Sequence, residues 1–224
     1  MKPAAGIKTE TFDIKGILPK DELRGFFDCK LDFEEYDLRH IDMIRSMRPH
    51  IFFGLASIMW NRIIEFGLCP VDPTALDDDI KKKNPDMFRN MSAVLGTHAI
   101  KDIYYAKSDP EAACHAKKSA VELFVARVYP NNLYIADVFL PCPETAVNGK
   151  EFGSAIRDHR SLYSKLVNNA VDCGRSLGCN YLMITANSSH QVDIFSRCGF
   201  LLEDHLSERR SLDLGLGIPM VMQV

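Results

Sequence analysis

No stretch of this sequence is apolar for long enough to cross a bilayer. The most apolar one, Ile51 to Met59, is nine residues long and is followed by Asn61, Arg62 and Glu65, whereas a membrane helix needs about 20 residues. An excess of one charge is lacking too: 27 Lys and Arg stand against 30 Asp and Glu, a formal net charge of −3. The densest basic cluster, Lys81-Lys82-Lys83, directly follows Asp77-Asp78-Asp79 and reads as a solvated helix face. A duplex nucleic-acid footprint needs a basic surplus, so no nucleic-acid partner is expected. Two or three positive groups would still suffice for a phosphorylated small molecule. The seven cysteines are odd in number and none is spaced as CxxC. That argues against a disulfide framework and a structural zinc site, and no metal is expected. The opening MKPAAGIKTETFDIKG lacks the apolar core of a signal peptide. Free thiols fit a reducing compartment. The expectation is a soluble, cytoplasmic protein with no membrane partner.

What is present is ordinary globular composition: 224 residues, 46% apolar and 25% charged. Residues 1–20 read as a loosely held arm and 21–33 as a short helix, together an N-terminal arm over 1–35 ahead of a single domain over 36–224. Tyr36 to Ile41 alternates like a short strand, and Asp42 is placed to cap a helix through Met43–Met47. Ile51 to Phe66 is a largely apolar helix ended by Gly67 and Pro70. Thr74 is a plausible cap for the next helix, and 86–99 carries another.

The period then changes. Lys101–Ala106, Ala120–Tyr129 and Leu133–Leu140 read as strands. The last two are joined through Pro130-Asn131-Asn132 as an antiparallel hairpin. A long polar loop is expected over 141–159. Helix 161–177 has Leu162, Leu166, Val167, Ala170 and Val171 on one face, with Gly178 as its C-terminal glycine. Tyr181–Thr185 reads as a buried central strand, followed by a capping loop, a short helix over 191–197 closed by Gly199, and strands at 200–202 and 218–224. The fold class is α/β, with a mixed, mostly antiparallel sheet flanked by helices.

Strand 133–140, helix 161–177 and strand 181–185 form a βαβ unit, and such units bind ligands at the C-terminal ends of their strands. A helix N-terminus there offers free amides and a positive dipole end to a diphosphate. Arg157 and Arg160 stand just ahead of it as phosphate ligands.

Residues 160–200, RSLYSKLVNNAVDCGRSLGCNYLMITANSSHQVDIFSRCGF, resemble the core of the GNAT superfamily of N-acetyltransferases. Gly178-Cys179, strand 181–185, Asn187 and Gly199-Phe200 stand at the matching places. Loosely, the resemblance extends over 36–224. It implies acetyl-CoA, or another acyl-CoA, as co-substrate. The pyrophosphate would lie on the amides of Ser161, Leu162, Tyr163 and Ser164, beside Arg157 and Arg160. The pantetheine arm would pair as an extra strand with the backbone of Val138, Phe139 and Leu140, with Asn187 and Phe195 as further contacts. Strand 133–140 would splay from strand 181–185, and an amide aimed at the thioester carbonyl would form an oxyanion hole. A small-molecule primary amine, of the aryl- or arylalkylamine kind, would attack directly, with the protein a monomer or homodimer.

Two departures stand out. The family loop reads Arg/Gln-x-x-Gly-x-Gly/Ala, and the window Asp158 to Tyr163, counted back from Gly178-Cys179, replaces its glycines by Ser161 and Tyr163. A second register through Gly149, Gly153 and Ser154 would make the following helix implausibly long, so the first is preferred. The family's tyrosine acid falls on Phe195, which has no proton to give. Ser196, Cys198 or a water would then serve, or the thiolate leaves unaided. Asp137 is the candidate general base. The competing reading is a solvent-facing position, since simple alternation sets it opposite Tyr134, Ala136 and Val138. Alternative functions are a longer-chain N-acyltransferase and a non-catalytic acyl-CoA-binding protein.

Overall fold

The structure, a computed structural model, describes residues 13–27, 31–49, 51, 55, 100–108, 121–140, 152–186, 189–202 and 217–224. The helices expected across 56–99 lie outside the described residues, although Ile51 and Leu55, at the head of the first of them, are helical and buried.

Seven strands form one sheet: β1 (Glu34–Asp37), β2 (Ile100–Ser108), β3 (Val121–Val128), β4 (Asn132–Phe139), β5 (Tyr181–Ala186), β6 (Leu201–Leu202) and β7 (Ile218–Gln223). Their order is β1-β2-β3-β4-β5-β7-β6. Every neighbouring pair is antiparallel except β4 and β5, which run parallel. A parallel pair needs a crossover, and the helix here labelled α3 (Phe152–Ser176) supplies it. The fold is thus α/β, a mixed and mostly antiparallel sheet flanked by helices, the architecture expected from the sequence.

Apolar side chains alternate between the two faces of the sheet. On one face Tyr104, Leu123, Val125, Leu133, Ile135, Leu182 and Ile184 pack with Leu162, Leu166, Val167 and Ala170 of α3 and Phe195 of α4 (Ser189–Arg197). On the other, Tyr105, Phe124, Ala126, Tyr134 and Met183 pack with Ile44 of α2 (Ile41–Met47), Ile51 and Leu55. The two helix-ending glycines do what their sequence positions predict. Gly178 (φ 62) closes α3 with Cys179 N–H on Gly174 C=O at 2.8 Å and Gly178 N–H on Arg175 C=O at 3.1 Å. Gly199 (φ 96) closes α4 in the same paired pattern, with Phe200 N–H on Phe195 C=O at 3.1 Å and Gly199 N–H on Ser196 C=O at 3.0 Å.

Three expectations need correction. Residues 13–20 are not loosely held: Ile14, Ile17 and Leu18 are buried in the α3-side core, followed by Leu23 on α1 (Lys20–Phe27) and by Leu31. Asn169 donates to Ile17 C=O at 3.3 Å, and Lys20 pairs with Glu35, which also accepts from the Tyr104 hydroxyl at 2.6 Å. Glycine and proline spacing hid this amphipathic burial. Tyr36 to Ile41 is not one strand. Asp37 accepts from Arg39 N–H at 3.0 Å, and a short 3-10 turn (Leu38–His40) leads into α2, leaving Asp42 inside its first turn rather than at its cap. Finally, α3 begins at Phe152, so residues 152–160 are helical where a loop is expected.

Candidate active site between two parting strands

The site is set by one extra residue in β4. Val125 pairs with Ile135 but Phe124 pairs with Asp137, so Ala136 is a bulge. A bulge turns every later residue to the opposite face from the one simple alternation assigns. Asp137 therefore shares a face with Phe124 and Tyr134, while Val138 packs on the α3 side. The alternation that set Asp137 opposite Tyr134 does not hold. Asp137 is half-buried on the α2 side of the sheet, and its charge is among the influences on the Tyr134 phenol.

The bulge also marks where β4 leaves β5. The parallel register runs Leu133↔Leu182, Tyr134↔Met183 and Ile135↔Ile184 and stops there. Yet β4 continues to Phe139, still paired with β3 at Glu122, and β5 continues to Ala186, paired with β7 at Ile218. Beyond Ile135, the β5-facing backbone of β4 has no sheet partner among the described residues. This is the splay expected between 133–140 and 181–185. Val138 is half-buried at its edge, Phe139 is 51% exposed, and Leu140 is buried.

Two polar groups flank the gap on the α2 side. At its apex the Tyr134 hydroxyl meets Thr185 Oγ1 at 2.8 Å, joining β4 to β5. Burial pushes the Tyr134 phenol up to about 12, outweighing the hydrogen bond to Thr185. Farther out, Glu122 is buried opposite Phe139, accepts from the Tyr105 hydroxyl at 2.8 Å and pairs with Arg48. Arg48 Nε also lies 3.2 Å from that hydroxyl, and Tyr36 stacks on the Tyr105 ring. Replacing Arg48 by alanine leaves Glu122 buried with its counter-charge gone. The expected loss is about 1–3 kcal/mol of stability, since Arg48 itself is partly solvated. Urea unfolding checks this.

The tyrosines also fix an alkaline limit. Tyr105 is pushed up to about 12, chiefly by burial, as is Tyr134. An unfolded phenol titrates near 10. Between those values the folded form holds protons that the unfolded form has lost, so this contribution to stability is complete below pH about 10 and drains away towards 12. For fully buried Tyr134 the loss is about 2–3 kcal/mol. Phenolate absorbance rising together with loss of circular dichroism above pH 10 is the expected observation; phenolate formation well before unfolding contradicts it.

The remaining sequence-derived positions are dispersed. Arg157, Arg160, Ser161, Leu162, Tyr163 and Ser164 stand inside α3 rather than ahead of it. Interior helix amides bond to the carbonyl four residues back, so those of 160–164 are not offered to a ligand. The free ones belong to Phe152, Gly153, Ser154 and Ala155, the first turn of α3. Leu162 and Tyr163 are core side chains, and Tyr163 packs edge-on against Phe195. Phe195 is fully buried between Tyr163 and Phe200, which accounts for an aromatic there without a hydroxyl. Ser164 and Ser196 are exposed on their helices. Burial pushes the Cys198 thiol up, against a hydrogen bond from Ser164. Asn187 lies outside the described residues. Among the described residues no group of His, Cys, Asp and Glu is arranged to hold a metal, and no helix is long and apolar enough to cross a membrane.

Sequence reasoning missed Tyr134, Thr185 and Glu122. Only Glu122 left a signal, a lone charge inside the apolar run AVELFVARVY. It also set aside the register through Gly149, Gly153 and Ser154 because the following helix would be too long, yet α3 does run for 25 residues from Phe152.

No family model and no curated protein matches the chain. Among solved structures it is similar to a Bacillus subtilis acetyltransferase in complex with CoA, at 16% identity and TM-score 0.32, over 63% of this chain and 86% of that one. It is also similar to an acetyltransferase from Streptococcus agalactiae, at 12% identity and TM-score 0.33, over 87% and 98% of the two chains. Likeness at this level leaves the function to be argued from the chain's own geometry.

Proposed function

We propose that this protein is an acyl-CoA-dependent N-acyltransferase that moves an acetyl group from acetyl-CoA to a small primary amine. The observation that carries the reading is the parting of β4 and β5 immediately after a bulge. A gap between two strands with unpaired backbone on one side accepts an extended amide-bearing chain as an added strand, and pantetheine is such a chain. Its partners are the backbones of Val138, Phe139 and Leu140. An amide turned out of the ladder by the bulge serves as oxyanion-hole donor. The first-turn amides of α3 suit the diphosphate. Arg157 lies about 7.5 Å along the axis from Phe152, and Arg160 about 12 Å, so Arg157 is the better phosphate ligand of the two. Asn187, which follows β5 directly, contacts the pantetheine arm.

On the α2 side the amine approaches with Asp137 accepting its proton, directly or through a water. Both oxygens of Glu122 are already engaged, by Arg48 and by Tyr105. Phe195 has no proton to give, so the departing thiolate takes one from Ser196, Cys198 or a water. The acceptor class, the monomer or homodimer state and the cytoplasmic setting belong to this proposal. A non-catalytic acyl-CoA binder is the second reading, favoured by the absence of a phenol at Phe195. Calorimetry with acetyl-, hexanoyl- and decanoyl-CoA, followed by thiol release with a panel of primary amines, separates the possibilities. Acetyl-CoA binding with amine-dependent thiol release supports the proposal. Binding without release on any amine supports the second reading, and no binding to any thioester defeats both.

A further inference from the structure

The gap has a hydroxyl pair at its apex that the sequence resemblance does not account for. Thr185 is the first residue of β5 past the last rung shared with β4. Its neighbours Ile184 and Ala186 are buried in the α3-side core, whereas Thr185 is half-buried on the opposite face. Its Oγ1 lies 2.8 Å from the Tyr134 hydroxyl. Tyr134 is 3% exposed, and its phenol stays protonated throughout the neutral range. Either hydroxyl of the pair can donate to the other. A threonine oxygen that accepts from Tyr134 keeps its own hydrogen for a different partner, and the gap lies alongside. At Phe195, where the resemblance implies an acid, the side chain is sealed between two aromatic rings and offers no donor.

We infer that the Thr185 hydroxyl, oriented by Tyr134, donates a hydrogen bond to the sulfur that leaves during acyl transfer. The inference rests on the proposed function. In the step, the amine nitrogen forms the new bond to the carbonyl carbon, the carbon–sulfur bond breaks, and its electron pair goes to sulfur. The ammonium proton passes to Asp137 or water. Thr185 keeps its proton and stabilises the thiolate, which then takes a proton from water. Thr185 is the catalytic residue and Tyr134 the positioning residue.

The test measures the thiol of free CoA bound to the protein, titrated by the ultraviolet absorption of its thiolate, beside acetyl-CoA affinity and turnover. A donor to sulfur lowers the bound thiol's pKa. Thr185→Val is expected to raise it by about one unit, to lower kcat about 10- to 100-fold, and to leave acetyl-CoA affinity within about twofold. Thr185→Ser restores both quantities, and Tyr134→Phe falls between. Should valine not be accommodated, Thr185→Ala removes the same hydroxyl. Unchanged thiol titration in the variants overturns the inference, as does a loss of CoA affinity with no change in thiol pKa, which would make the pair a strut between strands. If the native protein binds CoA but acylates no amine, the thiol titration alone decides. If it binds no CoA, the proposed function fails and this inference with it.

Discussion

If the proposed function holds, deleting Ala136 is expected to cripple acyl transfer in a protein that still folds. The deletion restores a regular β3–β4 ladder, so the hairpin keeps its pairing. Asp137 stays opposite Phe124 and Val138 opposite Leu123, so both keep their faces. The candidate base therefore remains on the acceptor side, while the amide that the bulge turns out of the ladder returns to it. Losing one preorganised donor costs about 100- to 1000-fold in kcat, and a loss in that range is expected. The check is a paired measurement of amine-dependent thiol release and circular dichroism. A folded deletion variant with native turnover would show that the bulge is incidental.

The second large effect distinguishes the two ends of α3. Gly153 is the second residue of the helix, and aspartate there puts a carboxylate beside the amides assigned to the diphosphate. Two like charges brought together in a binding site cost several kcal/mol, so acetyl-CoA Kd is expected to rise about 100-fold or more. Stability should hold or improve slightly, because an acidic residue in the first turn suits the helix dipole. Ser161→Asp introduces the same charge about 12 Å farther along the axis and should change Kd less than about twofold. Calorimetric titration of both variants settles it. The reverse ranking would return the diphosphate to residues 161–164 and contradict the helix start at Phe152.

The same helix shows how far the sequence could be read. Its apolar face, its closing glycine and the buried strand after it were legible because each is a local pattern: a 3.6-residue period, a left-handed residue, an unbroken apolar run. Its beginning was not. Residues 152–160 (FGSAIRDHR) include three charged residues, a histidine and Gly153, and a loop motif there competes with helix propensity on equal terms. The helix start separates the two candidate phosphate registers, one at 152–155 and one at 161–164. The bulge was illegible for a different reason. Nothing in Leu133–Leu140 marks Ala136 as unpaired, since register is a property of two strands and Phe124, the partner of Asp137, lies thirteen positions before it. Alternation therefore set Asp137 on the wrong face. The Tyr134–Thr185 and Arg48–Tyr105–Glu122 contacts join residues 51, 57, 17 and 74 positions apart. Only the folded sheet brings them to one face.

Hydrogen–deuterium exchange with and without acetyl-CoA tests the central claim, that the gap between β4 and β5 is where the thioester arm lies. Acetyl-CoA should slow exchange at two separate places: the amides of residues 136–140 along the open edge of β4, and those of 152–155 at the start of α3. The amides of 160–164, already bonded within the helix, should not change. Saturating acetyl-CoA that leaves 136–140 exchanging as before, or that protects another part of the chain instead, contradicts the account.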